Sequence, residues 1–198
     1  MRILSYFAAV ALLGASAISA QAASMTAPER EHLVAHLEMT ASWIQDETAH
    51  LSKVQLAYRA AEDKWSVIDV LEHLNLAEPI YWKQFQDAMK AEPVTKKPAV
   101  TDEMVLWYGI DRTEHQKTSP NKVPHSSSTD IKARLEAFRK LHAEMLDYAR
   151  KTDDDLRAHA IEAEGTDMYQ WLLMISTHAQ RHILQIREIK ASPNFPKA

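Results

Sequence analysis

Residues 64–74 read KWSVIDVLEHL and have the pattern that begins a long amphipathic helix. Ser66 can cap the first turn, and Asp69 stands three residues later, where a capping box requires an acceptor. Apolar side chains then recur at helical spacing, at Val70, Leu74, Ala77, Tyr81 and Ala88. The segment therefore predicts a helix from Ser66 to about Lys90, with His73 on its inward side.

Three other segments share this period and predict three more long helices. In chain order, the first of the four predicted helices covers about 27–50 and follows a cap at Thr26. The third starts at Ser128 or Thr129 and ends near Lys151. The last starts at a cap formed by Thr166 and stops before the prolines of the C-terminal tail. Segment 51–65 reads as a connection, with room for one helical turn.

A long connection separates the second and third predicted helices. Residues 91–128 contain four prolines and a serine cluster, and only 101–112 resembles a short helix. Because Trp107 and Tyr108 lie in it and would require burial, we expect a crossover packed against the other helices. The pattern predicts an all-α protein, a four-helix bundle with a long crossover connection between helices two and three. The alternative is an irregular array of shorter helices, and no strand is predicted.

The composition excludes several classes of function. The 198 residues carry 23 Lys+Arg and 27 Asp+Glu, a net charge of −4, which gives no general attraction to nucleic acid. The absence of cysteine excludes disulfides and thiolate metal sites. Only three glycines disfavour Gly-rich phosphate loops. Ten histidines are the conspicuous surplus.

The N-terminus has the pattern of a secretory signal peptide. Arg2 precedes an apolar run to about Leu13, and small residues follow up to Ala22. We expect 1–22 to be a cleaved signal peptide and 23–198 to be a single domain, exported to the periplasm or the extracellular space. A retained anchor is the alternative, although the apolar run is short for a span. No later segment is apolar enough to span a bilayer, so no stable membrane span is expected after cleavage.

Two histidine pairs have the i,i+4 spacing that places both imidazoles on one face of a helix. With Ile175 as zero, His182 lies at about −20° and His178 at about −60°, so both point into the bundle. The pair His32/His36 lies on the flank of its helix, where His32 is expected to reach water. His142 falls at the edge of an apolar stripe, and the remaining histidines, at 50, 115, 125 and 159, are interpreted as surface residues.

Two buried imidazoles one turn apart are costly unless their nitrogens have partners. A divalent metal ion would provide one partner for each, and a third imidazole from a facing helix would complete a His₃ set with open positions. His73 is the best candidate for the third ligand. The alternative is that each histidine is a core residue hydrogen-bonded to a carbonyl or a neighbour. No general base is assigned, because Glu72 and Glu78 lie off the inward face by the same angular count.

Two stretches resemble signatures of the DinB/YfiT-like family. Residues 65–74 resemble its W-S-x-x-[ED]-x-x-x-H-L stretch, and residues 178–186 resemble its H-x-x-x-H-x-x-Q-[IL] stretch. The likeness extends over about 28–192. It implies a four-helix bundle that binds a divalent metal ion, such as Zn, Ni or Fe, through His73, His178 and His182. Several family members are thiol-dependent transferases or isomerases, and many have no assigned reaction.

The resemblance and the residues together support a hypothesis of a metal-dependent enzyme acting on a small-molecule substrate. The enzyme would be a thiol-dependent transferase or a metal-assisted hydrolase. Expected export weakens the first interpretation, because the thiol-using members are mostly cytoplasmic, and makes metal-assisted hydrolysis or a binding role more competitive. One alternative is a non-catalytic metal-binding or stress-related module. Another is a metal-free bundle that binds a partner. The sequence identifies no catalytic residue, and it leaves open whether the chain is a monomer or a homodimer.

Overall fold

The computed structural model describes residues 24–95, 98–114, 117–125 and 130–197. The predicted signal peptide, the predicted start of the third helix at Ser128 or Thr129, and His115 lie outside these residues. Within them, the chain is predominantly helical, as predicted.

Six α-helices and one short hairpin make up the regular structure of the described residues. The helices are α1 (Ala27–Thr48), α2 (Lys53–Ala57), α3 (Val67–Ala88), α4 (Asp102–Ile110), α5 (Ile131–Lys151) and α6 (Met168–Lys190). A 3₁₀ turn covers Pro120–Lys122, and the hairpin joins β1 (Ala160–Ile161) to β2 (Thr166–Asp167). The four long helices are α1, α3, α5 and α6, which correspond to the four predicted helices.

The four long helices form a bundle in which α6 packs against α1 and α3, and α5 packs against the same two helices. Helices α1 and α3 therefore lie at opposite corners. The short helix α4 packs on α6, so the long crossover covers the bundle, as predicted. Apolar side chains fill the space between the helices, among them the fully buried Leu33, Phe85, Phe138 and Ile175.

The start of α3 confirms the capping box predicted at residues 66–69. The backbone N–H of Asp69 donates to the Ser66 hydroxyl, and the backbone N–H of Ser66 donates to the Asp69 carboxylate at 2.7 Å. Arg59 also pairs with this carboxylate at 2.7 Å. These contacts satisfy amide groups that the first helical turn leaves free, and they fix the end of α3 that carries His73.

The cap of α6 differs from the prediction by one residue. Asp167 is the N-cap and forms a capping box with Gln170, whereas Thr166 pairs with Ile161 in the hairpin. The prediction that the chain has no strand is also wrong. Each strand is only two residues long, and so short a strand leaves no alternating pattern to detect.

Helix α4 contacts α6 at Gly109, where only the absence of a side chain leaves room for the neighbouring helix. A Cβ atom at Gly109 would stand 2.6 Å from Gln180 Oε1 and 2.9 Å from Thr177 Cβ, so a larger residue would push the two helices apart. Arg157 holds the other end of α4, since its guanidinium pairs with Asp102 at 2.7 Å and with Asp167 at 2.9 Å. The crossover is thereby fixed against the helix that carries two of the candidate metal ligands.

The two aromatic residues of α4 do not share one environment. Tyr108 is largely covered and lies under the Arg181 guanidinium. Trp107 is 63% exposed, so the expectation that it would be buried is wrong. Helix α4 meets the bundle along only one face. Trp107 lies on the opposite face, so its side chain points outward. No helix within the described ranges is long and apolar enough to cross a membrane.

Candidate metal centre

The structure brings the three predicted ligands together at one point between α3 and α6. His73 Nε2 lies 3.1 Å from His178 Nε2, which lies 3.2 Å from His182 Nε2. One nitrogen from each of the three rings falls within 4.8 Å of the other two, a spacing that could hold a metal ion. All three side chains are buried, with exposed fractions of 4%, 4% and 9% in chain order.

The helices explain why these three rings meet. His178 and His182 are one turn apart on α6 and project from the same face. His73 lies on α3, which packs directly against α6. All three residues lie on the inward faces of their helices, as their helical angles predict.

The outer nitrogens of two rings are held by acceptors, which fixes their protonation. His73 Nδ1 lies 2.8 Å from the Lys122 carbonyl oxygen. A carbonyl can only accept, so Nδ1 carries the hydrogen and Nε2 keeps a free lone pair. His182 Nδ1 lies 2.8 Å from Gln185 Oε1, which assigns the same tautomer to that ring. Both Nε2 lone pairs therefore point toward His178.

This arrangement fits a metal ion better than a set of ordinary hydrogen bonds. A neutral His178 with its hydrogen on Nε2 could donate to only one of the two facing Nε2 atoms. The second Nε2 would then face the same nitrogen with no hydrogen left to accept, and with the hydrogen of His178 on Nδ1 instead, both contacts would bring lone pairs together at 3.1 and 3.2 Å, which is repulsive. A divalent cation accepts all three lone pairs at once. The donor set is thus suited to a cation that prefers imidazole ligands.

Burial keeps two of these imidazoles neutral at ordinary pH. Burial, together with the nearby His178, lowers the pKa of His73 to about 4. Burial also lowers the pKa of His182 well below its usual value, and the neighbouring imidazoles act in the same direction. Because only the neutral ring offers a lone pair, both residues are ready to act as ligands without first losing a proton.

A buried carboxylate faces the third ring from behind. Glu78 Oε1 lies 3.8 Å from His178 Nδ1, and neither atom has a hydrogen-bond partner among the described residues. The other oxygen, Oε2, contacts His142 Nε2 at 2.8 Å. Burial opposes ionisation of Glu78, but the adjacent His142 and His178 together outweigh it and hold its pKa below the ordinary value. Glu78 is therefore placed to receive a hydrogen bond from His178 Nδ1 after a small rotation of the ring.

The three imidazoles form the floor of a cleft of about 340 Å³. Trp65 covers one side, since its ring stacks on His182 and lies 5.0 Å from the ring of His73. Tyr81 stands on the other side, edge-on to His178 at 5.4 Å. Residues of the crossover, including Tyr108 and Lys122, complete the wall. A small molecule could thus reach the metal-facing nitrogens from solvent.

The other histidines of the described residues do not belong to this cluster. His32 and His50 are exposed, His125 is exposed, and His159 is partly exposed. His36 contacts Ser176 at 2.7 Å and Gln180 at 3.2 Å, so it belongs to a polar cluster between α1 and α6. His142 is 1% exposed, although the sequence placed it only at the edge of a stripe.

The expectation that Glu72 and Glu78 point away from the protein interior is wrong. Both carboxylates are buried, and Glu72 pairs with Arg134 at 2.9 Å. The angular count assumed that α3 has one inward face. In the structure every residue from 67 to 74 is buried, because α2, α5, α6 and the crossover surround this half of the helix. Residues 67–74 include three ionisable side chains, so the sequence carries no clear signal that this helix is buried on all sides.

Comparisons with known proteins agree with the helical fold. A curated relative from Bacillus subtilis strain 168, the uncharacterized protein YuaE, is 26% identical over 149 residues, which cover 73% of this chain and 89% of YuaE. A solved structure of YfiT from Bacillus subtilis superposes with a TM-score of 0.58 at 16% identity and covers 84% of this chain and 89% of YfiT. YfiT is described as a probable metal-dependent hydrolase with an unusual four-helix bundle topology. The sequence model of the DinB superfamily matches residues 32–186, more than three quarters of the chain, and the chain therefore belongs to the DinB superfamily.

Proposed function

We propose that the chain binds a divalent transition metal ion through His73, His178 and His182 and acts as a metal-dependent hydrolase on a small-molecule substrate. A divalent ion held there would supply a Lewis acid for hydrolysis. The observation that carries the proposal is the convergence of three buried imidazoles, two of them with their outer nitrogens engaged, at the floor of an open cleft.

Three imidazoles without a carboxylate ligand suit this chemistry. Because the rings are neutral, the ion would keep its full 2+ charge, which is the charge a Lewis acid uses. Zinc, nickel and iron(II) all accept imidazole, so the donor set alone does not choose among them. YfiT is described as a probable metal-dependent hydrolase, which supports this reaction class over the thiol-dependent transfer also considered for this chain.

The open cleft distinguishes an enzyme from a metal-storage or structural module. Structural metal sites are closed by four protein ligands, whereas catalytic sites keep a position for water or substrate. Here only three ligand nitrogens converge, and Trp65 and Tyr81 flank the opening rather than closing it. The described residues offer no carboxylate in the cleft except Asp63, so a side-chain general base is not part of this proposal.

Elemental analysis of freshly purified protein tests the proposal. We expect about one equivalent of zinc, nickel or iron per chain, as in other three-ligand catalytic sites. Chelation should abolish hydrolysis of a panel of small esters, amides and lactones, and the same metal should restore it. Protein that contains no metal and has an unchanged melting temperature in Zn²⁺ and Ni²⁺ would contradict the proposal. Metal without turnover on any substrate class would favour the non-catalytic module.

We also propose that the mature protein is exported. The support is the pattern of residues 1–22, in which one basic residue precedes an apolar run and a small-x-small end. N-terminal sequencing of the protein from its natural source should find Ala23 as the first residue, in the periplasmic or secreted fraction. A retained Met1, or a protein found only in the cytosol, would contradict export.

A further inference from the structure

The cleft above the three histidines has a charge opposite to that of the whole chain. The chain has a net charge of −4. Among the described residues that line the cleft, the only acidic side chain is Asp63, whereas five are cationic, namely Lys64, Arg112, Lys117, Lys122 and Arg181. A concentration of one charge sign in a concave site attracts ligands of the other sign.

Three of these cations already have partners. Lys64 lies 3.5 Å from Asp63. Arg112 makes two bonds to Glu188, at 2.7 and 3.0 Å. Arg181 donates to three backbone carbonyls of segment 108–114 and so fixes the end of α4. The donors of Arg112 and Arg181 are therefore largely engaged within the protein, whereas Lys64 is exposed and its charge is offset by the adjacent Asp63.

Lys122 differs from them because no carboxylate lies within ion-pair distance of it in the described part of the chain. Its ammonium donates one hydrogen bond, to Tyr81 Oη at 3.0 Å, and lies 4.5 Å from the centre of the Tyr81 ring. An ammonium has three donors, so two N–H groups remain for a ligand. The Tyr81 ring in turn meets His178 edge-on at 5.4 Å.

The position of Lys122 relative to the metal centre is fixed by its own backbone. Its carbonyl oxygen accepts the hydrogen bond from His73 Nδ1 at 2.8 Å. The residue thus contributes its main chain to the metal centre and its side chain to the wall of the cleft. One molecule in the cleft could therefore contact an ion held by the three imidazoles and, at its other end, the Lys122 ammonium. Tyr81 lies between the imidazoles and the ammonium.

We propose that the substrate of this site carries an anionic oxygen group, such as a carboxylate, and that the Lys122 ammonium binds this group while the reacting end faces the three histidines. The inference rests on the proposed function and adds the substrate class to it. Lys117, at the rim, strengthens the positive field but makes no defined contact. A cationic substituent at this position would meet the Lys122 ammonium without a carboxylate to offset it and would be disfavoured.

Matched thiol probes on the Co²⁺-loaded protein test this inference. ω-Mercaptoalkanoates of three to six carbons, each paired with its own carboxamide, are titrated while the sulfur-to-cobalt charge-transfer band is recorded. At the best chain length we expect the carboxylate to bind roughly tenfold more tightly than the carboxamide, as a charge-assisted contact provides. This preference should shrink as salt is added.

Lys122→Met removes the ammonium but keeps the backbone carbonyl that holds His73. We expect it to bind cobalt and the carboxamides as the wild type does and to lose the preference for the carboxylates. Lys83→Met, which changes an exposed lysine on α3 paired with Asp87, is the control and should keep the preference. Equal affinity for the two probes in the wild type, or a preference that survives in Lys122→Met, would overturn the inference alone. If no thiol perturbed the cobalt spectrum, the ion would have no open position, and the proposed function and this inference would both be wrong.

Discussion

His178→Ala and His182→Ala should each reduce the affinity for Zn²⁺ or Ni²⁺ by more than about 100-fold. Loss of a residue that only hydrogen-bonds to a metal ligand costs about 10- to 100-fold in affinity, and loss of the ligand itself costs more. The two rings provide two of the three nitrogens that converge, and an ion left with two protein ligands is held weakly. Each variant should be purified with little metal. The measurements are elemental analysis after dialysis and competition against a chelator of known affinity.

His36→Ala is the matched control for these substitutions. Like the ligands, His36 is a largely covered imidazole, and it contacts Ser176 and Gln180 of α6. Its loss should weaken the fold without changing the metal content. Wild type and a His178/His182 double variant with equal metal content would refute the assignment of the ligands.

His178→Ala and His182→Ala should also lose the stabilisation that the bound ion gives to the folded protein. A ligand that binds only the folded protein, at a free concentration 100 times its dissociation constant, contributes about 2.7 kcal/mol to the free energy of unfolding. Added Zn²⁺ should therefore raise the melting temperature of the wild type and of His36→Ala but leave that of His178→Ala unchanged. A similar rise in all three proteins would place the ion elsewhere.

The bundle and the three histidines could be predicted because their signals are local and periodic. Capping residues and apolar spacing identify the long helices within a few residues, as the capping box of Ser66 and Asp69 shows. The i,i+4 spacing of His178 and His182 requires only that α6 be a helix. The inward position of the third residue, His73, was predicted from its angle on α3. The convergence of the three residues therefore required that α3 and α6 be helices and that these two helices pack against each other.

The environment of α3 could not be predicted in the same way. A single apolar face is the usual pattern for a helix, and on that assumption Glu72 and Glu78 point to solvent. The structure surrounds α3 with other elements, so its polar residues find partners inside: Glu72 meets Arg134, and Glu78 meets His142. These partners lie more than 60 residues away in the sequence, and no local period reveals which carboxylate will face which helix.

Glu78, one of the two carboxylates expected at the surface, is placed to support the metal centre. Imidazole ligands of metal ions commonly donate their second N–H to a carboxylate or a carbonyl. His73 and His182 have such acceptors in the Lys122 carbonyl and Gln185. His178 has none within hydrogen-bond distance in the described residues, but Glu78 Oε1 lies 3.8 Å from its Nδ1 and has no other partner there. Binding of an ion at Nε2 would place the hydrogen on Nδ1, facing this oxygen.

Glu78→Gln should therefore lower the metal affinity by about 10- to 100-fold, the usual cost of losing a carboxylate that orients a ligand. The amide keeps the size of the side chain but removes the negative charge that strengthens the His178 Nδ1–H bond. It also weakens the contact with His142, so the free energy of unfolding of the metal-free protein should fall by about 1–3 kcal/mol. Chelator competition measures the first effect, and urea unfolding in the presence of a chelator measures the second.

Glu72→Gln separates the two effects. Glu72 is a buried carboxylate of the same helix, and it pairs with Arg134 and His125 rather than with a ligand ring. Its substitution should destabilise the metal-free protein by a similar amount and leave the metal affinity within about twofold of the wild type, since no hydrogen bond to a ligand is changed. If both variants lost metal affinity in proportion to their loss of stability, Glu78 would act only through the fold. A loss confined to Glu78→Gln would show that this carboxylate orients His178, because stability alone cannot produce that difference between two buried carboxylates on one helix.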